Sequence, residues 1–262
     1  KYCPPTQIDT RNIDNNIFDP DIPIEIPRRL KINDKIISDY KSYEELTPKQ
    51  VIAYSSQVGA SKIAIMLGYE KLKDAYYNFG FGKPISINFP SSAFGLMNIK
   101  DKISDKELAS LGYGYGITIS PFQITSAYSV FANKGIYKDF KILKSDEVGL
   151  NRVISEDSAK HTLEALKEVV HIGTGKNADI NGYTEGGKTG TVHKTSYGNG
   201  YAEDSYRASF VGIAPLSDKS LTIFVSIDEP GLNAYSGGMI AAPLFKKIAD
   251  SSLNYLGYSE DE

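Results

Sequence analysis

The stretch Gly186-Gly187-Lys188-Thr189-Gly190-Thr191 sets a cation, two hydroxyls and a position bare of side chain beside one another. Working outward from it, Arg207-Ala-Ser-Phe-Val-Gly-Ile-Ala-Pro215 and Leu221-Thr-Ile-Phe-Val-Ser-Ile-Asp-Glu229 read as strands, being rich in β-branched and aromatic residues. The Lys-Thr-Gly run therefore opens three consecutive antiparallel strands. Beyond them, Gly238 to Tyr255 repeats apolar residues at helical spacing, and Leu244, Ile248 and Leu253 predict the buried face of a terminal helix. Lysine and hydroxyls on an extended segment suit a carboxylate-bearing extended peptide that adds itself to the strand edge, with Gly190 leaving room for its backbone. The same residues equally suit an ordinary edge strand whose lysine guards against unwanted pairing.

Upstream, Thr47-Pro48-Lys49-Gln50 has the form of a capping box with proline at the first helical position, and predicts a short helix that ends at Ser55-Ser56-Gln57. Two helices are expected from Thr47 to Phe79, with Ile63, Leu67, Leu72 and Tyr76 as their apolar positions. Gly80 and Gly82 then mark a turn, and Lys83 to Asp105 reads as loop. Ser120-Pro121-Phe122-Gln123 starts another capped helix that buries Ile124, Ala127, Tyr128 and Phe131 and stops near Gly135. Ser155 caps a further helix with Leu163, Leu166 and Val170 inward, ended by Gly173-Thr174-Gly175. Residues 1 to 46 read as an irregular traverse, extended across Asp19 to Pro27 because proline disfavours helix before it. The fold class is α+β, an antiparallel sheet flanked by helices with a helical lobe.

The chain of 262 residues, 41% hydrophobic and 23% charged, can bury a sizeable core. A net charge of −3 without a clustered basic stripe argues against nucleic acid as the main partner. The lone Cys3 allows no disulfide framework. His161, His171 and His193 lack metal-ligand spacing, and His193 falls near the rim of any cleft at Lys188. Gly173-Thr174-Gly175-Lys176 lacks the spacing of a phosphate-binding loop, and no stretch reaches the apolar length of a membrane helix.

With Ser55-Ser56-Gln57 and Lys188-Thr189-Gly190 both in hand, the chain resembles the transpeptidase domain of the class B penicillin-binding proteins, most closely the division-specific penicillin-binding protein 3 family. The likeness runs through Ser55 to Ala64, Phe79-Gly80-Phe81-Gly82, Leu111 to Gln123, Asn133 to Tyr137, Tyr235-Ser-Gly-Gly238 and Ala242-Pro243, in the family's order from about Ile8 to the end. It implies a β-lactamase/transpeptidase-like fold whose helical lobe carries Ser55, with residues 1–262 as the C-terminal part of the domain. It also implies acyl transfer from a D-alanyl-D-alanine stem peptide to a neighbouring amine, cross-linking peptidoglycan at the septum, and acylation by β-lactams.

In that resemblance Ser55 relays a proton toward the leaving nitrogen with Lys188, and Thr189 and Thr191 bind the substrate carboxylate. The backbone N–H of Thr191 forms half of the oxyanion hole, and Gly190 admits the substrate backbone. The family's nucleophile belongs to a Ser-x-x-Lys element upstream of a strand that Gln7-Ile8-Asp9-Thr10 resembles, so it is expected before Lys1, and this chain alone is expected to be inactive. Ser38-Asp39-Tyr40-Lys41 matches Ser-x-x-Lys by letter but sits in polar sequence with no helical period, and reads as surface loop. Gln57 departs from the family's asparagine, one methylene longer, which predicts reduced turnover or altered β-lactam sensitivity. No metal or organic cofactor is implied. Implied partners are the stem peptide, β-lactams and membrane proteins of the division complex, at the periplasmic face of the inner membrane, with an anchor N-terminal to this chain. The alternatives are a β-lactam-sensing domain, against which the Gly112 to Gly116 and Asn133 to Tyr137 blocks favour the division enzyme, or an inactive binding module of the same fold, which sequence upstream of Lys1 would separate.

Overall fold

A computed structural model describes residues 19–85, 95–97, 100–145, 147–195, 201–217, 219–231 and 234–261, with the main chain alone at 195 and 201–204. Cys3 and the strand-like Gln7 to Thr10 lie outside the described residues. Of the segment expected to be extended, Asp19 to Ile22 instead makes a turn closed by Ile22 N donating to Asp19 O at 3.3 Å. The rest of the described traverse holds short strands that were not expected: β1 (Ile24–Glu25), β2 (Leu30–Ile32), β3 (Lys35–Ile37) and β4 (Glu45–Leu46) form two small antiparallel pairs, β1 with β4 and β2 with β3.

Thr47 then caps α1 (Pro48–Tyr54), with Gln50 N donating to Thr47 Oγ1 at 3.2 Å and Thr47 N donating to Gln50 Oε1 at 3.0 Å. Three helices follow Thr47 where two were expected, because the chain leaves the right-handed region twice. Ser55 has φ 56° between α1 and α2 (Gln57–Leu67), and Gly68 has φ 83° between α2 and α3 (Tyr69–Asn78). Ile63, Leu67, Leu72 and Tyr76 are buried as their spacing predicted.

The segment read as loop up to Asp105 gives way at once to α4 (Asp105–Gly112), opened by a second capping box between Ser104 and Glu107. The Ser-x-x-Glu signature was there to be read. The Lys100 ammonium, then the N–H and hydroxyl of Ser104, hold the Glu107 carboxyl at about 2, down from 4.5. Its stabilising effect is thus present above the ordinary carboxylate range and lost as pH falls through that lower value. Glu107→Ala is expected to melt slightly below wild type at pH 7, with the gap in Tm closing as pH falls from 5 toward 2; a gap independent of pH would exclude the carboxylate as its source.

Ser120 opens α5 (Pro121–Ala132) by the same device, and Ile124, Ala127, Tyr128 and Phe131 are buried on it. After the short pair β5 (Ile136–Lys138) and β6 (Leu150–Arg152), Ser155 caps α6 (Glu156–His171). Leu166 and Val170 face inward as predicted, and Leu163 packs against the core from a partly buried position.

The main sheet is β7 (Gly186–Thr195), β8 (Tyr201–Ala214) and β9 (Leu221–Asp228), antiparallel in that spatial order. Side chains alternate between its faces. Val211 and Ile213 join a core with Ile124 of α5 and Leu166 of α6, whereas Phe210 and Val225 pack under α7 (Ala242–Leu256). A separate cluster joins Val51 of α1, Val58 and Ile63 of α2 and Ala109 of α4 to Ile26, just past β1, and to Ile32 of β2 and Ile37 of β3, forming the helical lobe.

One expectation fails in detail. The buried face of α7 is Ala242, Phe245, Ala249 and Leu253, whereas Leu244 and Ile248 are 39% and 40% exposed. Alanines lie against the sheet because they let the helix approach closely enough for Phe245 to reach Phe210, at 4.9 Å between ring centroids. Hydrophobicity alone favours the larger Leu and Ile.

Candidate active site

β7 is the outer strand of its sheet, so among the described residues one of its edges carries no strand partner. Lys188, opposite Val211, is 2% exposed, and its Nζ donates to Ser55 Oγ, to the Thr189 carbonyl at 3.2 Å and to Thr189 Oγ1 at 3.3 Å. The two sequence-predicted motifs therefore meet. Ser55 reaches this point because it is the left-handed residue, φ 56° and ψ 42°, that closes α1 before Ser56 caps α2. Its own N–H donates to Ile52 O at 3.2 Å and that of Ser56 donates to Val51 O at 3.0 Å, so the reversal takes two residues and leaves Ser55 half-buried between lobe and sheet.

A third hydroxyl completes the cluster. Thr174 Oγ1 lies 3.3 Å from Ser55 Oγ and 2.7 Å from Thr189 Oγ1. Its N–H donates to Ala53 O of α1 at 3.2 Å, and a methyl group on Gly173 would come within 2.2 Å of that same carbonyl. Glycine is what lets the end of α6 press against the end of α1. The sequence marked Gly173-Thr174-Gly175 only as a helix stop. No local pattern separates that role from a site residue; the hydroxyl ahead of β7 was the available signal.

Thr191, opposite Ala208, is exposed, and its Oγ1 accepts the N–H of Gly237 at 3.0 Å. A Cβ on Gly237 would stand 2.2 Å from Ser209 O and 2.6 Å from Gly190 O, so the turn before α7 rests directly on the main chain of Gly190. Thr191 thus anchors that turn through its lone pair while its own proton stays available to donate. Gln57 is the first residue of α2, with an exposed side chain that makes no hydrogen bond to another described residue. The structure brings together Ser55, Lys188 and Thr189, keeps Gly190 and Thr191 alongside on β7, and leaves the Gln57 amide outside the hydroxyl cluster.

Farther along β7, His193 faces Tyr206 with ring centroids 4.2 Å apart, and Tyr206 stacks on Tyr235 at 4.4 Å and 26°. These rings form an aromatic wall beyond Thr191. Outside it Lys194 contacts Glu229 at 2.7 Å and Asp228 at 3.1 Å, and the Lys194 hydrogen bond followed by Arg207 holds the Asp228 carboxyl below its ordinary value despite partial desolvation. Ser38-Asp39-Tyr40-Lys41 is loop, as expected, with Lys41 exposed. Among the described residues no cluster of three or more His, Cys, Asp or Glu could hold a metal, and no helix is long and apolar enough to cross a membrane.

This geometry can do two things. A closed run of hydrogen-bonding atoms, Lys188 Nζ, Ser55 Oγ, Thr174 Oγ1 and Thr189 Oγ1, can pass a proton between neighbours without any atom moving far. The free edge of β7, with hydroxyls beside a lysine, can seat an extended chain that carries a carboxylate.

The penicillin binding protein transpeptidase domain is the family whose model matches, over residues 11–250. The chain is 34% identical over 237 residues to a probable peptidoglycan D,D-transpeptidase, PbpC, of Pseudomonas aeruginosa, covering 90% of this chain and 42% of that protein. It is 33% identical over 233 residues to the peptidoglycan D,D-transpeptidase FtsI of Escherichia coli, covering 88% of this chain and 40% of the relative. Among solved structures, the apo transpeptidase domain of penicillin-binding protein 3 from Burkholderia pseudomallei superimposes with a TM-score of 0.92 at 30% identity, covering 100% of this chain and 81% of that one. Penicillin-binding protein 3 of Mycobacterium tuberculosis, complexed with aztreonam, gives 0.87 at 26% identity, covering 97% of this chain and 62% of that one. The chain thus spans about two fifths of the two curated relatives named here. A match of this extent, over a fold with Ser55 set against Lys188, places the chain in the penicillin-binding protein transpeptidase family.

Proposed function

We propose that the chain is the C-terminal part of a serine-type peptidoglycan D,D-transpeptidase that cross-links stem peptides during septal wall synthesis and is acylated by β-lactams. The observation that carries this reading is the hydrogen bond from Lys188 to Ser55 at the free edge of β7. The names of the curated relatives and the aztreonam complex of a structural neighbour support it.

In this reading a serine hydroxyl from a segment N-terminal to Lys1 attacks the carbonyl between the two D-alanines. The C–O bond of the acyl-enzyme forms, the C–N bond breaks, and the hydroxyl proton ends on the departing D-alanine nitrogen by way of Ser55 Oγ, with Lys188 holding that oxygen. Thr189, Thr191 and Thr174 receive the substrate carboxylate, the N–H of Thr191 supplies half of the oxyanion hole, and Gly190 lies beneath the substrate backbone. An amine of a neighbouring strand then attacks the acyl-enzyme and restores the serine. Gln57 replaces the family's asparagine at the start of α2, and the exposed position of its side chain makes it a candidate to meet the substrate amide directly. The reaction belongs outside the cytoplasmic membrane, where its substrate lies, with a membrane anchor and division-complex contacts in the rest of the protein.

Intact-mass analysis after incubation with benzylpenicillin tests this. A form extended at its N-terminus to the whole domain is expected to gain one penicilloyl group, and the present chain none. Absence of an adduct on the extended form overturns the reading. Release of D-alanine from a synthetic acyl-D-alanyl-D-alanine peptide separates an enzyme from a β-lactam sensor, which would acylate without that release.

A further inference from the structure

We propose that the loop of residues 38–44 is an external brace that sets the position of Ser55, with Asp39 as its positioning residue. The inference rests on the reading of Ser55 as a proton-relaying group of the acyl-transfer site. Ser55 occupies a left-handed conformation that a non-glycine residue holds only when its surroundings enforce it. Its neighbours on both sides are gripped by this one loop. On the C-terminal side Ser56, 1% exposed, donates its hydroxyl proton to Asp39 Oδ2 while its Oγ accepts the N–H of Gly59 at 2.9 Å. The other carboxylate oxygen of Asp39 accepts the N–H of Val58 at 3.1 Å. On the N-terminal side, the ring of Tyr54 lies flat on that of Tyr43, centroids 5.4 Å apart and 13° from parallel.

The opening N–H groups of α2 would otherwise lack partners, and an anionic carboxylate is the acceptor best suited to the positive end of a helix. A serine cap alone serves one such group, through Gly59. Asp39 adds a second and ties the cap hydroxyl itself to a chain segment outside the helix pair. The register of α2 relative to α1, and with it the direction of the Ser55 side chain toward Lys188, is thereby fixed from the loop that the letters Ser-x-x-Lys first drew attention to. Neither Asp39 nor Tyr43 contacts Lys188, Thr174 or Thr189 among the described hydrogen bonds and ring contacts, so the loop acts through Ser55 and Ser56.

The test uses the whole domain and benzylpenicillin, separating the dissociation constant of the initial complex from the limiting acylation rate at a temperature well below unfolding. Asp39→Ala is expected to lower the limiting rate by about 10–100-fold, since misplacing a reacting group by about 1 Å costs on this order, with the initial dissociation constant little changed. Asp39→Asn, whose amide oxygen can serve Val58 and whose NH₂ can donate to Ser56, is expected to recover most of the rate. Ser38→Ala and Lys41→Ala, exposed positions of the same loop, are expected to match wild type. Should Asp39→Ala fail to fold, Ser56→Ala removes the hydroxyl link together with the cap on Gly59, leaves the Asp39 bond to Val58, and is expected to slow acylation by about 3–10-fold. A wild-type limiting rate in the folded Asp39→Ala or Ser56→Ala protein, or a loss that Asp39→Asn does not reverse, overturns the brace. Wild-type protein that forms no adduct overturns the functional reading itself.

Discussion

Replacing Lys188 by methionine is expected to lower the second-order rate of acylation by benzylpenicillin by about 10²–10⁴-fold, the range typical for losing a positioned proton-transfer group. Methionine keeps most of the buried stem, so the fold has no cavity to collapse into, and the change isolates the ammonium. Lys188 is 2% exposed and donates to Ser55 and to both oxygens of Thr189. Without it Ser55 Oγ keeps only the Thr174 hydroxyl among these partners, and Thr189 Oγ1 keeps only its bond to Thr174. In the proposed reading, that breaks the proton route to the leaving nitrogen at its centre. Thr174→Val, which removes one hydroxyl but leaves Lys188 on Ser55, is expected to cost less. Stopped-flow or mass-resolved acylation kinetics on the whole domain decide it: a Lys188→Met protein within threefold of wild type would place the proton transfer elsewhere.

Truncating Phe245 is expected to have the largest effect on stability. Its ring is fully buried on α7, 4.9 Å from Phe210, and sits over Gly212, where even a methyl group would come within 2.6 Å of it. Phe→Ala at such a site costs about 3–5 kcal/mol through lost burial and the cavity left behind. For a domain of this size each kcal/mol lowers Tm by roughly 2–4 °C, so a drop of about 6–20 °C is expected by calorimetry. The turn that docks Gly237 onto Thr191 leads directly into α7, so weakened β-lactam binding should accompany the loss. A Tm within about 2 °C of wild type would mean that the interior closes around the gap.

The local rules carried far here because they act over four or five residues. Thr47, Ser120 and Ser155 announced their helices by capping chemistry, and the alternation in Arg207 to Ala214 sends Phe210 and Val211 to opposite faces of the sheet. The same rule was available at Ser104 and Glu107 and would have placed the helix at Asp105. Periodicity also located the terminal helix, but it chose Leu244 and Ile248 for the interior where packing distance chose Ala242 and Ala249.

The sequence by itself determined the three-stranded sheet, the capped helices at Thr47, Ser120 and Ser155, the terminal helix, their order, and the two motifs that carry Ser55 and Lys188, since capping, side-chain period and residue chemistry are properties of short segments. Tertiary structure alone decided that Thr174 closes the hydroxyl ring, that the Gln57 amide stands outside it, and that Asp39 rather than Ser38 is the working residue of its loop. Those outcomes depend on how closely backbones approach at Gly173 and Gly237, and on contacts between residues far apart in the chain, where no local pattern records which side chains will meet.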